Sequence, residues 1–212
     1  MYSLLTFSDQ STPREILKEF YRNYNLGEDG GIGDPYVKIE LYKNLAIYFP
    51  NFNERKKAVL KHDIHHLATG YTSVLKGETE ISAWELSSGC FNYLAAFLIN
   101  MHGMMMGVPF NITGIFKAFK KGRRTKNLYK SNFSNEELLD MKVSEIRKLL
   151  LLDTYSENAK TTFMDVFLFL SFLLLGSVYS VLSLIFLPVI VFSTIYVLIF
   201  PHKLKPLTSK LA

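Results

Sequence analysis

The residues of this chain best suited to chemistry sit in one stretch, His62 to Glu78, which reads HDIHHLATGYTSVLKGE. Helical residues four apart lie on one face, so His62 and His66 can aim two imidazole nitrogens at a single point. Asp63 falls beside His66 on that face, His65 points further round the cylinder, and Glu78 arrives from a following segment. Two neutral imidazoles with one or two carboxylates suit Zn²⁺, other divalent metals being acceptable, and an incomplete shell leaves room for water or substrate. The candidate metal ligands are therefore His62 and His66 with one or both of Asp63 and Glu78. A buried histidine pair hydrogen-bonded to carboxylates would use the same letters. The metal is favoured because the motif lies on the apolar stripe of its helix, where titratable groups are costly to bury unless something binds them. Glu85 lies two turns beyond Glu78, about 10 Å along the helix, too far to ligate the same ion. It is expected to orient a ligand or carry a proton, against the alternative of a solvated surface carboxylate; with Asp63 it is the candidate catalytic pair.

The elements that must position these groups follow from caps and periodicity. Asn51 and Glu54 fit a capping box, Phe52, Val59, Leu60, Ile64 and Leu67 supply an apolar stripe, and Gly70 is a natural stop for the helix carrying His62. A second long helix is expected from Glu78 through Trp84, Phe91, Leu94 and Phe97 to Met101. It should break within MHGMMMGVPF, residues 101–110, at Gly103, Gly107 and Pro109. The four methionines there form a soft apolar surface that either fills the core or lines a passage for a long isoprenoid tail. Residues 11–26 form a first packing helix capped by Ser11 or Thr12, with Pro13 in its first turn and Ile16, Phe20 and Tyr24 as its stripe. GEDGGIGDP, residues 27–35, is acidic and lacks GxxxxGK[ST], so it is expected to be a flexible loop or a lid and not a phosphate cradle. Residues 36–49 are either a helix or two short extended pieces, with Tyr36, Tyr42 and Tyr48 as core packing or pocket lining. Short helices close the domain over residues 134–152, Ser134 capping the first.

Other readings of the histidine motif fail within the sequence. Histidine boxes of membrane desaturases need several clusters, and His102 and His202 are the only other histidines; a phosphohydrolase of the HD type needs a histidine upstream of His62, and there is none. HDIHH is similar to the HExxH of zinc peptidases, but its acid is one carbon shorter and its third ligand too near. His102 reads as structural, and Cys90, alone in an apolar helix, as a buried inert thiol.

The pattern HDxxH, eleven residues, then Glu, with Gly77 before that Glu and Trp84–Glu85 after it, resembles the coenzyme Q (ubiquinone) biosynthesis protein 4 family. The resemblance extends to KGRRTKNLYK (Lys121–Lys130) and VSEIRKLL (Val143–Leu150), and covers most of residues 10–152. It implies a helical protein holding zinc through His62, Asp63, His66 and Glu78. It further implies association with membranes and with other quinone-biosynthesis proteins. The implied reaction is C1 decarboxylation, with hydroxylation, of a polyprenylated hydroxybenzoate. A homodimer is compatible with it.

The chain has 212 residues, is 49% hydrophobic and carries a formal charge of +5. No secretory signal opens it, so the domain is expected in the cytosol. Lys117–Lys130 holds seven basic residues and no acidic one. Without a recognisable nucleic-acid module, and next to a membrane segment, this stretch reads as a contact for anionic lipid headgroups. Between Phe163 and Phe200 the single charge is Asp165. As one helix that stretch would be about 57 Å long against a hydrocarbon core of about 30 Å, so a hairpin turning near Ser180–Ser183 is expected, spanning or re-entrant, with Pro188 kinking its second arm. Basic residues on both flanks place the metal domain on the cytoplasmic face. Such a hairpin departs from the family pattern, in which membrane contact is peripheral. The sequence thus describes a mainly α protein: a helical metal domain over residues 1–155, a membrane hairpin over 163–200 and a basic tail over 201–212. With the resemblance, the expected function is decarboxylation of a lipid-tailed aromatic acid at the membrane, or else, as a non-catalytic scaffold, the gathering of biosynthetic enzymes there. A metal-dependent lipid hydrolase is the third choice.

Overall fold

A computed structural model describes residues 8–42 and 45–200. The protein is mainly helical, with little sheet and one long apolar helix at its C-terminal end. Helix α1 (Pro13–Tyr24) starts as expected, with the Thr12 N–H donating to Glu15 Oε2, and buries Ile16, Leu17, Phe20 and Tyr21. The stretch after the acidic loop resolves into two strands, β1 (Tyr36–Tyr42) and β2 (Leu45–Pro50), paired antiparallel with Tyr36 opposite Pro50. Asn51 then serves the loop and not a cap. Its side-chain amide donates to the carbonyls of Gly31 and Asp34, and helix α2 (Asn53–Thr69) is instead capped at Phe52. Gly70 ends α2 in the left-handed conformation, as expected.

The expected long helix from Glu78 to Met101 is two helices. Gly89, at φ 100°, stops α3 (Leu75–Ser88), and the chain reverses into α4 (Leu94–Gly122). Helix α4 runs unbroken through Gly103 and Gly107 and breaks at Asn111 (φ −142°), two residues after Pro109. Both halves lie along α3. Added Cβ atoms at Gly103 and Gly107 would meet Ser82 and Thr79, and at Gly114 and Gly122 would meet Glu80 and Trp84. The buried core gathers here: Ile64 and Ala68 of α2, Ile81, Trp84 and Leu86 of α3, and Met101, Met104, Ile115 and Phe119 of α4. A 3-10 turn at Leu128–Lys130 and short helices α5 (Asn135–Asp140) and α6 (Val143–Leu149) close the domain, Ser134 capping α5 with Glu137. Arg147 ties α6 to α2 through the Ala68 carbonyl.

The C-terminal hairpin is not formed. Helix α7 (Phe163–Ser183) continues through a 3-10 turn, Leu184–Phe186, into α8 (Leu187–Ile199), so Ser180–Ser183 is helical and Pro188 sits in the first turn of α8, where its missing N–H costs nothing. The two parts pack on the domain and not on each other, α7 against α4 and α8 against β2. Tyr36 accordingly meets the Tyr196 ring and the Tyr48 N–H donates to Thr194 Oγ1, away from the histidines; the side chain of Tyr42 and the tail 201–212 lie outside the described residues.

Candidate metal centre

Three of the four expected ligands converge. One nitrogen or oxygen each from His62, His66 and Glu78 lies within 4.8 Å of the others. His62 Nε2 and His66 Nε2 are 3.2 Å apart, and Glu78 brings Oε2 to 3.4 Å from the first and Oε1 to 3.3 Å from the second. Zinc bonds of about 2.0–2.1 Å at tetrahedral angles give ligand–ligand edges of about 3.3 Å, and the two nitrogens, and each nitrogen with one Glu78 oxygen, stand near that spacing. His66 is buried, whereas the side chains of His62 and Glu78 are 25% and 37% exposed, so the group is reached from solvent on their side.

The outer nitrogens of both histidines are committed. His66 Nδ1 lies 2.8 Å from the Tyr71 carbonyl and His62 Nδ1 lies 2.9 Å from Glu85 Oε1; both oxygens only accept, so both Nδ1 atoms carry the proton. In its neutral form each ring then turns a bare Nε2 lone pair toward the other ring and toward the Glu78 carboxylate. Such a cluster needs a cation at its centre, a proton or a metal. Burial alone would push His62 down, but Glu85 and Glu78 outweigh it and hold its pKa well above the ordinary histidine value; in return Glu78, which burial would raise, is held well below the usual carboxylate range by His66 and His62. Ser73 Oγ donates to Glu78 Oε1 and fixes that carboxylate. A close backbone approach sets it in place: a Cβ on Gly77 would lie 1.9 Å from the Thr72 carbonyl oxygen, so only glycine lets α3 begin this near the connecting turn.

Asp63 stands beside this group and not in it. Its Oδ2 accepts from the Tyr21 hydroxyl at 2.8 Å. Burial raises its pKa to about 6 against the pull of His62 and His66. The acidic loop covers this pair: Gly30, at φ 70°, is so close that a Cβ would reach 2.9 Å from Asp63 Oδ2 and 3.0 Å from the Tyr21 ring. Asp29 fastens the loop by accepting from the N–H groups of Gly31 and Gly33.

Glu85 is wholly buried, which removes the solvated-surface reading, and its two oxygens collect the polar groups of the core. Oε1 accepts from His62 Nδ1 and, at 2.6 Å, from His65 Nδ1; Oε2 accepts from Asn100 and from Tyr129 at 3.2 Å. Burial would raise this carboxyl, but His62 and His65 overcome that and keep it ionised. His65 is the odd one out, as expected, because its Nε2 accepts the Leu128 N–H at 2.8 Å and is spent on structure. Tyr21, the Tyr71 carbonyl, Ser73, Asn100 and Tyr129 were not foreseen. His102 bonds the Leu98 carbonyl and Ser183, outside the centre. Comparison of the chain with protein-family models, curated proteins and solved structures finds no match.

Proposed function

We propose that this protein is a zinc-dependent, membrane-attached enzyme of quinone biosynthesis that removes the C1 carboxylate from a polyprenylated hydroxybenzoate. The observation that carries the reading is the pair of facing Nε2 lone pairs with Glu78 between them, a donor set that suits Zn²⁺ and leaves one corner for a substrate carboxylate. Bound there, the ion would supply Lewis-acid polarisation of that carboxylate. The chain's own groups do the rest. Glu85 keeps His62 oriented, and Asp63, with a pKa of about 6, can hold or deliver a proton near neutral pH from beside the open corner. Loss of carbon dioxide leaves a ring carbon that takes up a proton; replacement of the carboxylate by oxygen requires in addition an oxidant delivered to the same carbon. The substrate's lipid tail accounts for the long apolar helix, and the exposed lysines near its start favour a cytoplasmic setting for the domain.

A scaffold that gathers quinone-biosynthesis proteins, with a structural metal, is the second reading; the exposed apolar C-terminal helix favours it as much as it favours the enzyme. Metal analysis of the detergent-purified protein, with His66→Ala and Glu78→Ala beside the wild type, tests the centre. Near-stoichiometric zinc, lost in both folded variants, is the expected result, and its absence from a zinc-supplied wild type would refute it. Quinone levels in cells carrying Asp63→Asn separate the two readings: collapse supports the enzyme, and normal levels with metal retained leave the scaffold.

A further inference from the structure

The long apolar helix is long and apolar enough to cross a membrane. Its packing says otherwise. The domain touches it at points from its start to its end: Arg123 and Arg124 grip Asp165 at 2.8 and 2.6 Å, Phe116 and Phe119 meet Phe169, and Met101 and Met105 lie against Gly176. Further on, His102 meets Tyr179 and Ser183, and α8 buries Ser193 and Val197 where it packs on β2. From Asp165 to Val197 the contacts extend over about 50 Å of helix, well beyond the hydrocarbon thickness of about 30 Å. A crossing helix would drag α4 and the β-hairpin into the bilayer with it. A two-stranded sheet has open edges whose backbone groups have no partner in hydrocarbon.

The other face of the helix is an uninterrupted apolar ridge. Phe163, Phe167, Leu170 and Leu174 recur every three or four residues on α7, and Phe192 and Ile199 continue on α8; each is at least half exposed. Exposed lysines flank the start of the ridge, Lys117 and Lys126 around the end of α4 and Lys160 just before α7. We propose that α7–α8 is an in-plane docking surface for a single leaflet of an anionic bilayer, its ridge sunk among the acyl chains and these lysines at the phosphates. The helix ends then lie on the same side of the membrane as the domain. A ridge of this kind sinks about 5–10 Å below the headgroups.

The test uses the full chain with phosphatidylcholine–phosphatidylserine vesicles. Cys90 is buried and its thiol is pushed up to about 12, so single cysteines at Leu170, Val181 and Phe192, in a Cys90→Ser background, can carry a nitroxide. In-plane docking predicts that the three labels report similar, shallow depths by collision with oxygen and a nickel chelate. A depth profile that is deepest at Val181 and shallower at Leu170 and Phe192 would mean a crossing and would overturn the proposal. So would a lipid-free dimer with all three labels shielded, in which a second copy covers the ridge. The combined variant Lys117→Glu, Lys126→Glu, Lys160→Glu should lose at least about fivefold in affinity for anionic vesicles for each lysine replaced. Affinity independent of phosphatidylserine would refute the basic rim.

Discussion

Glu85→Gln is the most informative single change, because it keeps the volume of a fully buried side chain and removes only its charge. Glu85 Oε1 fixes the proton on His62 Nδ1, and through the ring makes Nε2 a better donor to a metal. The glutamine oxygen can still accept from His62 and His65, but its amide then faces the Asn100 amide and the Tyr129 hydroxyl, two groups that donate to Oε2 in the native protein. Loss of such an outer partner typically costs 10–100-fold in metal affinity, about 1.4–2.8 kcal/mol. Zinc titration of the detergent-solubilised protein against a competing chelator should show that loss, with helix content by circular dichroism unchanged. His66→Ala should by contrast abolish stoichiometric binding. If Glu85→Gln bound zinc within twofold of wild type while His66→Ala did not bind, Glu85 would be a purely structural anion and the orienting role would fall. If the variant failed to fold, Asn100→Ala, which releases one donor to Glu85 without touching either histidine, should still lower zinc affinity by a smaller factor.

The remaining expectations concern the neighbours of the centre. Burial lifts Asp63 from an ordinary 3.8 to about 6, so the folded state binds its proton more tightly than the unfolded chain; the stability this contributes is complete below pH 4 and lost as pH rises past 6. In metal-free protein Asp63→Asn should therefore be more stable than wild type at pH 7.5 by up to about 3 kcal/mol, the two converging in acid, and parallel melting temperatures across pH would contradict it. Gly77→Ala drives a methyl into the Thr72 carbonyl and should cost about 1–3 kcal/mol together with most of the zinc affinity, since Glu78 is the next residue; unchanged binding would show that the turn adapts. Asp165→Asn removes the buried negative charge that pairs with Arg123 and Arg124, and should expose residues 153–162 to protease at least severalfold faster; an unaltered digestion pattern would count against the clamp.

What was legible in the sequence was local. The spacing of His62 and His66, the Gly70 stop and the Ser134 cap each depend on residues within a turn or two, and the structure keeps all of them. The misses are tertiary. Asn51 has the letters of a capping box, but the loop carbonyls of Gly31 and Asp34 compete for its amide and win. The distance argument kept Glu85 from sharing an ion with Glu78, yet did not show that His62 bridges the two, one nitrogen toward each. The C-terminal hairpin was inferred from length against bilayer thickness, an argument that assumes lipid on every side. The contacts of Asp165, Phe169, Gly176 and Val197 with the domain relieve that length constraint and allow one long helix.

The same contacts tie the metal centre to the apolar ridge. One side of α4 presses Gly103 against Ser82 and close to the Glu78 carbonyl, and another presents Met101, His102 and Met105 to α7. Helix α4 thus touches both α3, which carries Glu78, and α7. On the function proposed above, the acidic head of the substrate would lie at His62 and Glu78 and its apolar tail along the methionines of α4. Methionine suits that position because its unbranched thioether adapts to chains of irregular shape. On this arrangement Met105→Lys, at the α4–α7 seam, should weaken retention of a lipid-tailed aromatic acid while leaving zinc stoichiometry intact; loss of both together would mean that the seam supports the fold and has no separate part in holding the tail.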